Sequence, residues 1–222
     1  MVQIDTIYNM DCLVGMKEIE SDSIDFCLSD PPYNIGKQYD VYKDKKSDKE
    51  HWKWIEDVYS EIYRVLKPNS HLTFTCAQLQ IWPYKAILQR LGFTFRHIGI
   101  WSNPGRKAGS YPGQWPYSWE AIMDFTKGNF RKLNNGNSVG FMDVWIEKPP
   151  VDTKHPTRRP IGCWMDLIKL MSDESEVVLD PFNGSGTTSL ACKQLNRRYI
   201  AYEISEAYCD EARKRTANGI AV

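Results

Sequence analysis

In the stretch IDFCLSDPPYNIG a carboxylate, Asp30, is followed by two prolines, Pro31 and Pro32, and a ring, Tyr33, directly after an apolar run. Proline fixes φ and has no N–H, so the carbonyl near Pro31 is held rigidly and stays open to a donor from outside. Asp30 adds a second acceptor, and Tyr33 a flat face on which an aromatic base can stack. Two acceptors and a ring suit an exocyclic –NH2 group. By itself Asp-Pro-Pro-Tyr is also an ordinary turn sequence. Its place at the end of a strand-like run, and a second motif far along the chain, tell against a mere turn.

That second motif is EVVLDPFNGSGTTSLACKQLNRRYIAYEIS, Glu176 to Ser205. It reads as strand, glycine turn, helix, second strand and then an acid, Glu203. In such a unit the glycines admit a ligand close to the backbone, the helix N-terminus offers free N–H groups, and the acid accepts the hydroxyls of a ribose. A dinucleotide fingerprint would need a third glycine where Ser189 stands, and a phosphate loop would need a lysine that is absent after Gly186. A ligand with ribose and no phosphate fits better, and S-adenosylmethionine is the common one. A tight turn without a ligand fits the two glycines equally well until Glu203 and the first motif are considered. In an open α/β sheet, ligands sit at strand ends, so Asp30 to Tyr33 should face the same crevice as Gly184 and Glu203.

The elements that must hold these residues follow from periodicity. Short apolar runs alternating with amphipathic segments predict an α/β fold with a mostly parallel sheet. Strands are expected at Asp25 to Leu28, His71 to Cys76, Phe93 to Trp101, Ala121 to Phe125, Glu176 to Leu179 and Arg198 to Tyr202. Helices are expected in HWKWIEDVYSEIYRVLKP, ended by Pro68, in IWPYKAILQRLG, ended at Gly92, and in WMDLIKLM, TTSLACKQL and SEAYCDEARKRT, the last capped by Ser205. Two polar stretches, 37–50 and 127–154, read as long loops, the first as either a solvated linker or a substrate loop.

Composition bounds the reading. The 222 residues, with 42% hydrophobic, suffice for one core, so a single domain over 1–222 is expected. Twenty-eight basic residues balance 28 acidic ones, so any nucleic-acid binding needs local basic patches. The start, MVQIDTIYNMDC, lacks a signal-peptide pattern, and no apolar run approaches the roughly 20 residues of a membrane span, which predicts a cytoplasmic protein with no membrane contact. Six cysteines without a CxxC are expected to be buried thiols, with no metal site.

With these residues in view, the chain resembles the amino-methyltransferases of DNA, which make N6-methyladenine or N4-methylcytosine. Asp30, Pro31, Pro32 and Tyr33 match the family's [DNS]PP[YFW] motif, and Phe182, Gly184 and Gly186 its FxGxG motif. The resemblance runs over nearly the whole chain, including NMDCLVGMKEIESDSIDFCLSDPPYN, RVLKPNSHLTF and DVWIEKPPVDTKHPTRRP. It implies a Rossmann-like S-adenosylmethionine-dependent methyltransferase fold. The catalytic motif precedes the cofactor motif, the circularly permuted order of the β group, and aspartate at the first motif position favours adenine over cytosine.

For the site, the resemblance implies catalysis by Asp30, Pro31, Pro32 and Tyr33 on a base flipped out of double-stranded DNA. It implies cofactor contacts from Asp11, Cys12, Asp30, Asp180, Phe182, Gly184, Ser185, Gly186, Thr187 and Glu203. In HPTRRP, Arg159 stands where the family has lysine, at the methionine carboxylate; the charge is kept and the hydrogen-bonding geometry is not. His155 reads either as a turn residue or as a contact. Many family members carry a sizeable recognition domain, and here no insertion longer than the two loops is available for one. Recognition is then left to the 37–50 and 127–154 loops, with Arg106, Lys107, Arg131 and Lys132 as basic candidates, or to a homodimer partner. An N4-cytosine enzyme, an RNA base methyltransferase and a non-catalytic cofactor-binding subunit are the alternatives.

Overall fold

The structure, a computed structural model, describes residues 2–104, 117–134, 143–150 and 155–219. In chain order its elements are β1 (Thr6–Asn9), α1 (Cys12–Met16), β2 (Ile24–Ser29), α2 (Asp48–Val65), β3 (Leu66–Cys76), α3 (Ile81–Arg90), β4 (Phe93–Ser102) and β5 (Trp119–Lys127). There follow β6 (Val144–Ile146), α4 (Ile161–Met171), β7 (Val177–Asp180), α5 (Thr187–Gln194), β8 (Arg198–Glu203) and α6 (Glu206–Asn218). The strands form one sheet in the order β1-β8-β7-β2-β3-β5-β4-β6. Neighbours from β1 through β3 are parallel, β5 is antiparallel to both β3 and β4, and β6 is parallel to β4.

Helices cover both faces, as a buried parallel sheet requires. The two-residue period divides β8: Ile200 and Tyr202 point into a core shared with α1, α2 and α3, whereas Tyr199 and Ala201 point into a second core built with α4, α5 and α6. On α2 the spacing of Ile55, Val58, Tyr59 and Ile62 puts four fully buried side chains on one stripe. On α4, Trp164, Leu167, Ile168 and Met171 do the same against the opposite face. Burying each such side chain stabilises the fold by roughly 1.5–3 kcal/mol.

The six expected strands and five expected helices are all present, with three differences. The helix expected to end at Pro68 stops at Val65, and Pro68 lies inside β3. The chain turns extended at Leu66, whose register with Ile24 begins the β2–β3 ladder, so strand pairing ends the helix before proline has to. The loop expected to reach Glu50 ends at Ser47, because Ser47 and Glu50 form a capping box that starts α2. Two short edge strands, β1 and β6, and the helix α1, capped by Asp11, were not expected. All six cysteines are buried and free, and among the described residues no helix is long and apolar enough to cross a membrane.

Candidate active site

Parallel pairing puts the C-terminal ends of β2, β7 and β8 at one edge of the sheet, and each ends in a polar residue named from the sequence: Asp30 just after β2, Asp180 at the end of β7, Glu203 at the end of β8. They face a single cavity of about 480 Å³. Its wall includes Asp11, Cys12, Asp30, Pro31, Pro32, Tyr33, Asp180, Phe182, Gly184, Ser185, Thr187 and Glu203, so the two motifs, some 150 residues apart in the chain, share one site. Gly186 alone of the expected site residues is not part of that wall. It caps α5 at φ 86°, and a Cβ there would lie 2.7 Å from the Cβ of Ala212 on α6. Its place in the motif is explained by the packing of α5 on α6.

At the cofactor-type end, Glu203 ties the glycine turn to the next helix: Oε2 accepts from the Gly184 N–H at 2.9 Å and Oε1 from the Ser205 N–H at 2.8 Å. Burial raises the Glu203 carboxyl, against the pull of those two N–H groups. Gly184 sits at φ 51° with His155 against it, and a Cβ would stand 2.9 Å from Nε2 of that ring. Burial lowers the His155 imidazole to about 4, so it is neutral at pH 7. Asp180 is enclosed, and burial raises it to about 7 despite hydrogen bonds from Thr188 and the Phe182 N–H. Asn183, 5% exposed and on the cavity wall, has neither its amide oxygen nor its amide nitrogen paired among the described residues. A buried amide left open on both sides is a demand for a polar ligand. Together with Glu203 and the ring of Phe182, it fits a nucleoside such as S-adenosylmethionine.

The stretch from Asn34 to Lys46 is neither a solvated linker nor a free arm. Asp44, 2% exposed, accepts the N–H groups of Asn34, Ile35 and Lys37, and the Asn34 amide pairs with the backbone of Lys46. Ser205 Oγ donates to Asp40 at 2.6 Å. The segment thus forms a strap over the Glu203 end of the cavity, with Tyr39, Tyr42 and Lys46 in the wall and Tyr42 leading through Trp54 to Phe182 in ring contacts of 5.9 and 5.5 Å.

At the other end Asp30 is held by its surroundings. Arg159 reaches it with two arms, Nε to Oδ2 at 2.6 Å and Nη2 to Oδ1 at 2.5 Å, and Thr75 donates to Oδ1. A third arm, Nη1, meets Glu120 at 2.5 Å. The hydroxyl of Tyr33 lies 2.9 Å from Glu120 Oε2 and 3.1 Å from Asp30 Oδ1, and accepts from Arg159 Nη2 at 2.6 Å. Burial would lower the Arg159 guanidinium, but Asp30 and Glu120 together outweigh it and keep it charged. The position matched to the methionine carboxylate is therefore bound to the catalytic-motif carboxylate instead.

Glu120 was not singled out in the sequence. Because β5 is antiparallel, its start lies beside the end of β3, which brings Glu120 to the crevice. An acid inside the apolar run WEAIMDF was the available signal. Arg131 was expected on a recognition surface, but it is paired with Asp173 and Glu176 at the start of β7, the opposite edge of the sheet. Arg106 and Lys107 lie outside the described residues.

Residues 24–214 match the N6_N4_Mtase family, described as DNA methylase. Among curated proteins, the chain is similar to the type II methyltransferase M.HpaI of Haemophilus parainfluenzae, 30% identical over 90% of this chain and 70% of that protein. It is also similar to the DNA adenine methyltransferase YhdJ of Escherichia coli (strain K12), 27% identical over 91% of this chain and 79% of that one. Among solved structures, the M1.HpyAVI–SAM complex superposes with a TM-score of 0.74 at 25% identity, covering 95% of this chain and 98% of the other.

Proposed function

The chain belongs to the family of N6/N4 DNA methylases, and from that premise we propose that it transfers a methyl group from S-adenosylmethionine to the exocyclic N6 amine of adenine in double-stranded DNA. The observation that carries the reading is the meeting of Asp30 to Tyr33 and the Phe182 to Glu203 turn in one cavity. The motif order agrees with the β group. Aspartate at position 30 and the likeness to an adenine enzyme favour adenine over cytosine.

When bound, S-adenosylmethionine supplies an electrophilic methyl whose bonding electrons stay with sulfur. Glu203 would accept from the ribose, Asn183 would pair with polar groups of the cofactor, and Phe182 would pack on its adenine. Asp30 and the Pro31 carbonyl each accept one N–H of the target amine, which concentrates the nitrogen lone pair that is otherwise delocalised into the ring. The nitrogen forms the new N–C bond and gives up one proton, for which Asp30 is the nearest base. Most of the acceleration then comes from positioning and from fixed acceptors. A stacked base cannot enter a crevice walled by two motifs, so the target is flipped out, at a cost of about a few kcal/mol. Stacking on Tyr33 returns roughly 1–3 kcal/mol.

The test is to incubate protein, cofactor and unmethylated DNA, digest to nucleosides and identify the product by mass spectrometry. N6-methyladenine is expected, and N4-methylcytosine would overturn the base assignment. Asp30→Ala should lose methyl transfer by at least about 100-fold while cofactor binding, measured by calorimetry, largely survives. Full activity in that variant would sink the mechanism.

A further inference from the structure

The donors around Asp30 are divided unequally between its two oxygens. Among the described residues, Oδ1 has three within reach: Arg159 Nη2 at 2.5 Å, the Thr75 hydroxyl, and the Tyr33 hydroxyl at 3.1 Å. Oδ2 has one, Arg159 Nε at 2.6 Å. Each carboxylate oxygen offers about two lone-pair sites. Arg159 and Thr75 therefore fill Oδ1 whichever way the Tyr33 proton points, and one site on Oδ2 stays open. The two-armed contact also fixes the plane of the carboxylate, since a bidentate guanidinium adds geometric specificity as well as charge. Arg159 is itself held in place. Its side chain is 8% exposed, its third arm meets Glu120 at 2.5 Å, and its guanidinium carbon lies 4.7 Å from the ring centre of Trp101 and 6.0 Å from that of Trp164. Each of its three nitrogens is thus engaged by a side chain of this chain.

We infer that Arg159, helped by Thr75, is a positioning residue for methyl transfer: it fills Oδ1 of Asp30, fixes the carboxylate plane and leaves on Oδ2 the open acceptor site for the target amine. It does not hold the methionine carboxylate of S-adenosylmethionine. The inference rests on the reading of Asp30 as the amine's acceptor, and Arg159 acts through Asp30 with no contact to the reacting atoms. It also accounts for arginine where the resemblance expects lysine. A lysine ammonium is a point charge without the planar fork that engages both oxygens of Asp30 and Glu120 together.

The experiment compares wild type, Arg159→Lys and Asp30→Ala in single-turnover methyl transfer to unmethylated DNA at saturating S-adenosylmethionine, with folding followed by thermal melt. Calorimetry measures the affinity of each protein for two ligands: S-adenosylhomocysteine, which carries the methionine-type carboxylate, and methylthioadenosine, which does not. Lysine keeps the charge and loses the fork, so R159K should transfer roughly 10- to 100-fold more slowly, with both affinities at the wild-type level. A weakened hold on S-adenosylhomocysteine alone would make Arg159 a ligand of the cofactor carboxylate and overturn the inference. A wild-type transfer rate in R159K, or an equal fall in both affinities from a site loosened as a whole, would overturn it as well. If R159K does not fold, Thr75→Val, which removes a donor from Oδ1 and no charge, takes its place: transfer roughly 3- to 10-fold slower with both affinities unchanged is expected, and a wild-type rate would overturn the inference. If Asp30→Ala is inert in the same assay, the amine-acceptor reading stands whichever way Arg159 falls, whereas an active Asp30→Ala would remove the reading on which the inference rests.

Discussion

Asp180 shows how a residue named for ligand binding also carries a cost in the folded chain. Burial raises its carboxyl from 3.8 to about 7, so between these values the folded state holds a proton that the unfolded chain has released. Stability from this group is complete below about pH 4 and is lost as pH rises toward 7, by roughly 1.4 kcal/mol for each pH unit in that window. Asp180→Asn, which cannot ionise, should flatten that loss: urea midpoints of wild type and variant should diverge in the variant's favour from pH 4 to pH 7. Equal slopes would show that Asp180 is ionised without penalty. His155, neutral at pH 7 by the same burial, acts at that pH as packing for Gly184 and Tyr208 and does not add a positive charge to the site.

At the scale of elements, two connections do more than join strands. The strap depends on Asp44, whose two oxygens hold three backbone N–H groups. Asp44→Ala leaves those groups without their acceptor and loosens the fold of the strap over the cavity. The expected outcome is weaker S-adenosylmethionine binding, by roughly 10-fold or more, together with earlier cleavage between residues 34 and 47 in limited proteolysis. Unchanged affinity would mean that the strap does not bear on the cofactor. The turn before α5 depends on Gly186, where a side chain would have to adopt φ 86° and push against Ala212. Overpacking and left-handed strain together predict a loss of about 2–4 kcal/mol for Gly186→Ala, read as a lowered denaturation midpoint. Ala212→Gly should recover part of it.

At the scale of the whole molecule, one sheet with a core on each face leaves no thiol at the surface. Six cysteines are distributed over both cores and are all free. For those whose titration is shifted, burial raises the thiol, and neither thiolate reactivity nor disulfide pairing is favoured. A thiol reagent such as Ellman's should find essentially none in the native protein and six after denaturation in guanidinium. Rapid reaction of one thiol before unfolding would reveal a local opening of the core around it. The balanced charge of 28 basic and 28 acidic residues means that hold on DNA cannot come from a global positive field. It must come from local contacts.

The sequence by itself determined the parts whose signals are local. Apolar alternation marked the inner strands, a Ser47 to Glu50 capping box was present to be read at the start of α2, and the acceptors of Asp30 and Pro31 and the glycine turn with Glu203 were legible as chemistry. Only the tertiary structure decided what depends on distance between segments. Edge strands such as β1 and β6, four and three residues long, are too short to declare themselves and exist because a neighbour pairs with them. Glu120 comes beside Arg159 and Tyr33 because β5 runs antiparallel, and Arg159 pairs with both Asp30 and Glu120. The strap lies over the cavity because Asp44 folds it on its own backbone and Asp40 accepts from Ser205, far along the chain. Local chemistry is written in residue types, whereas the pairing of charges far apart in the chain is set by which strands end side by side.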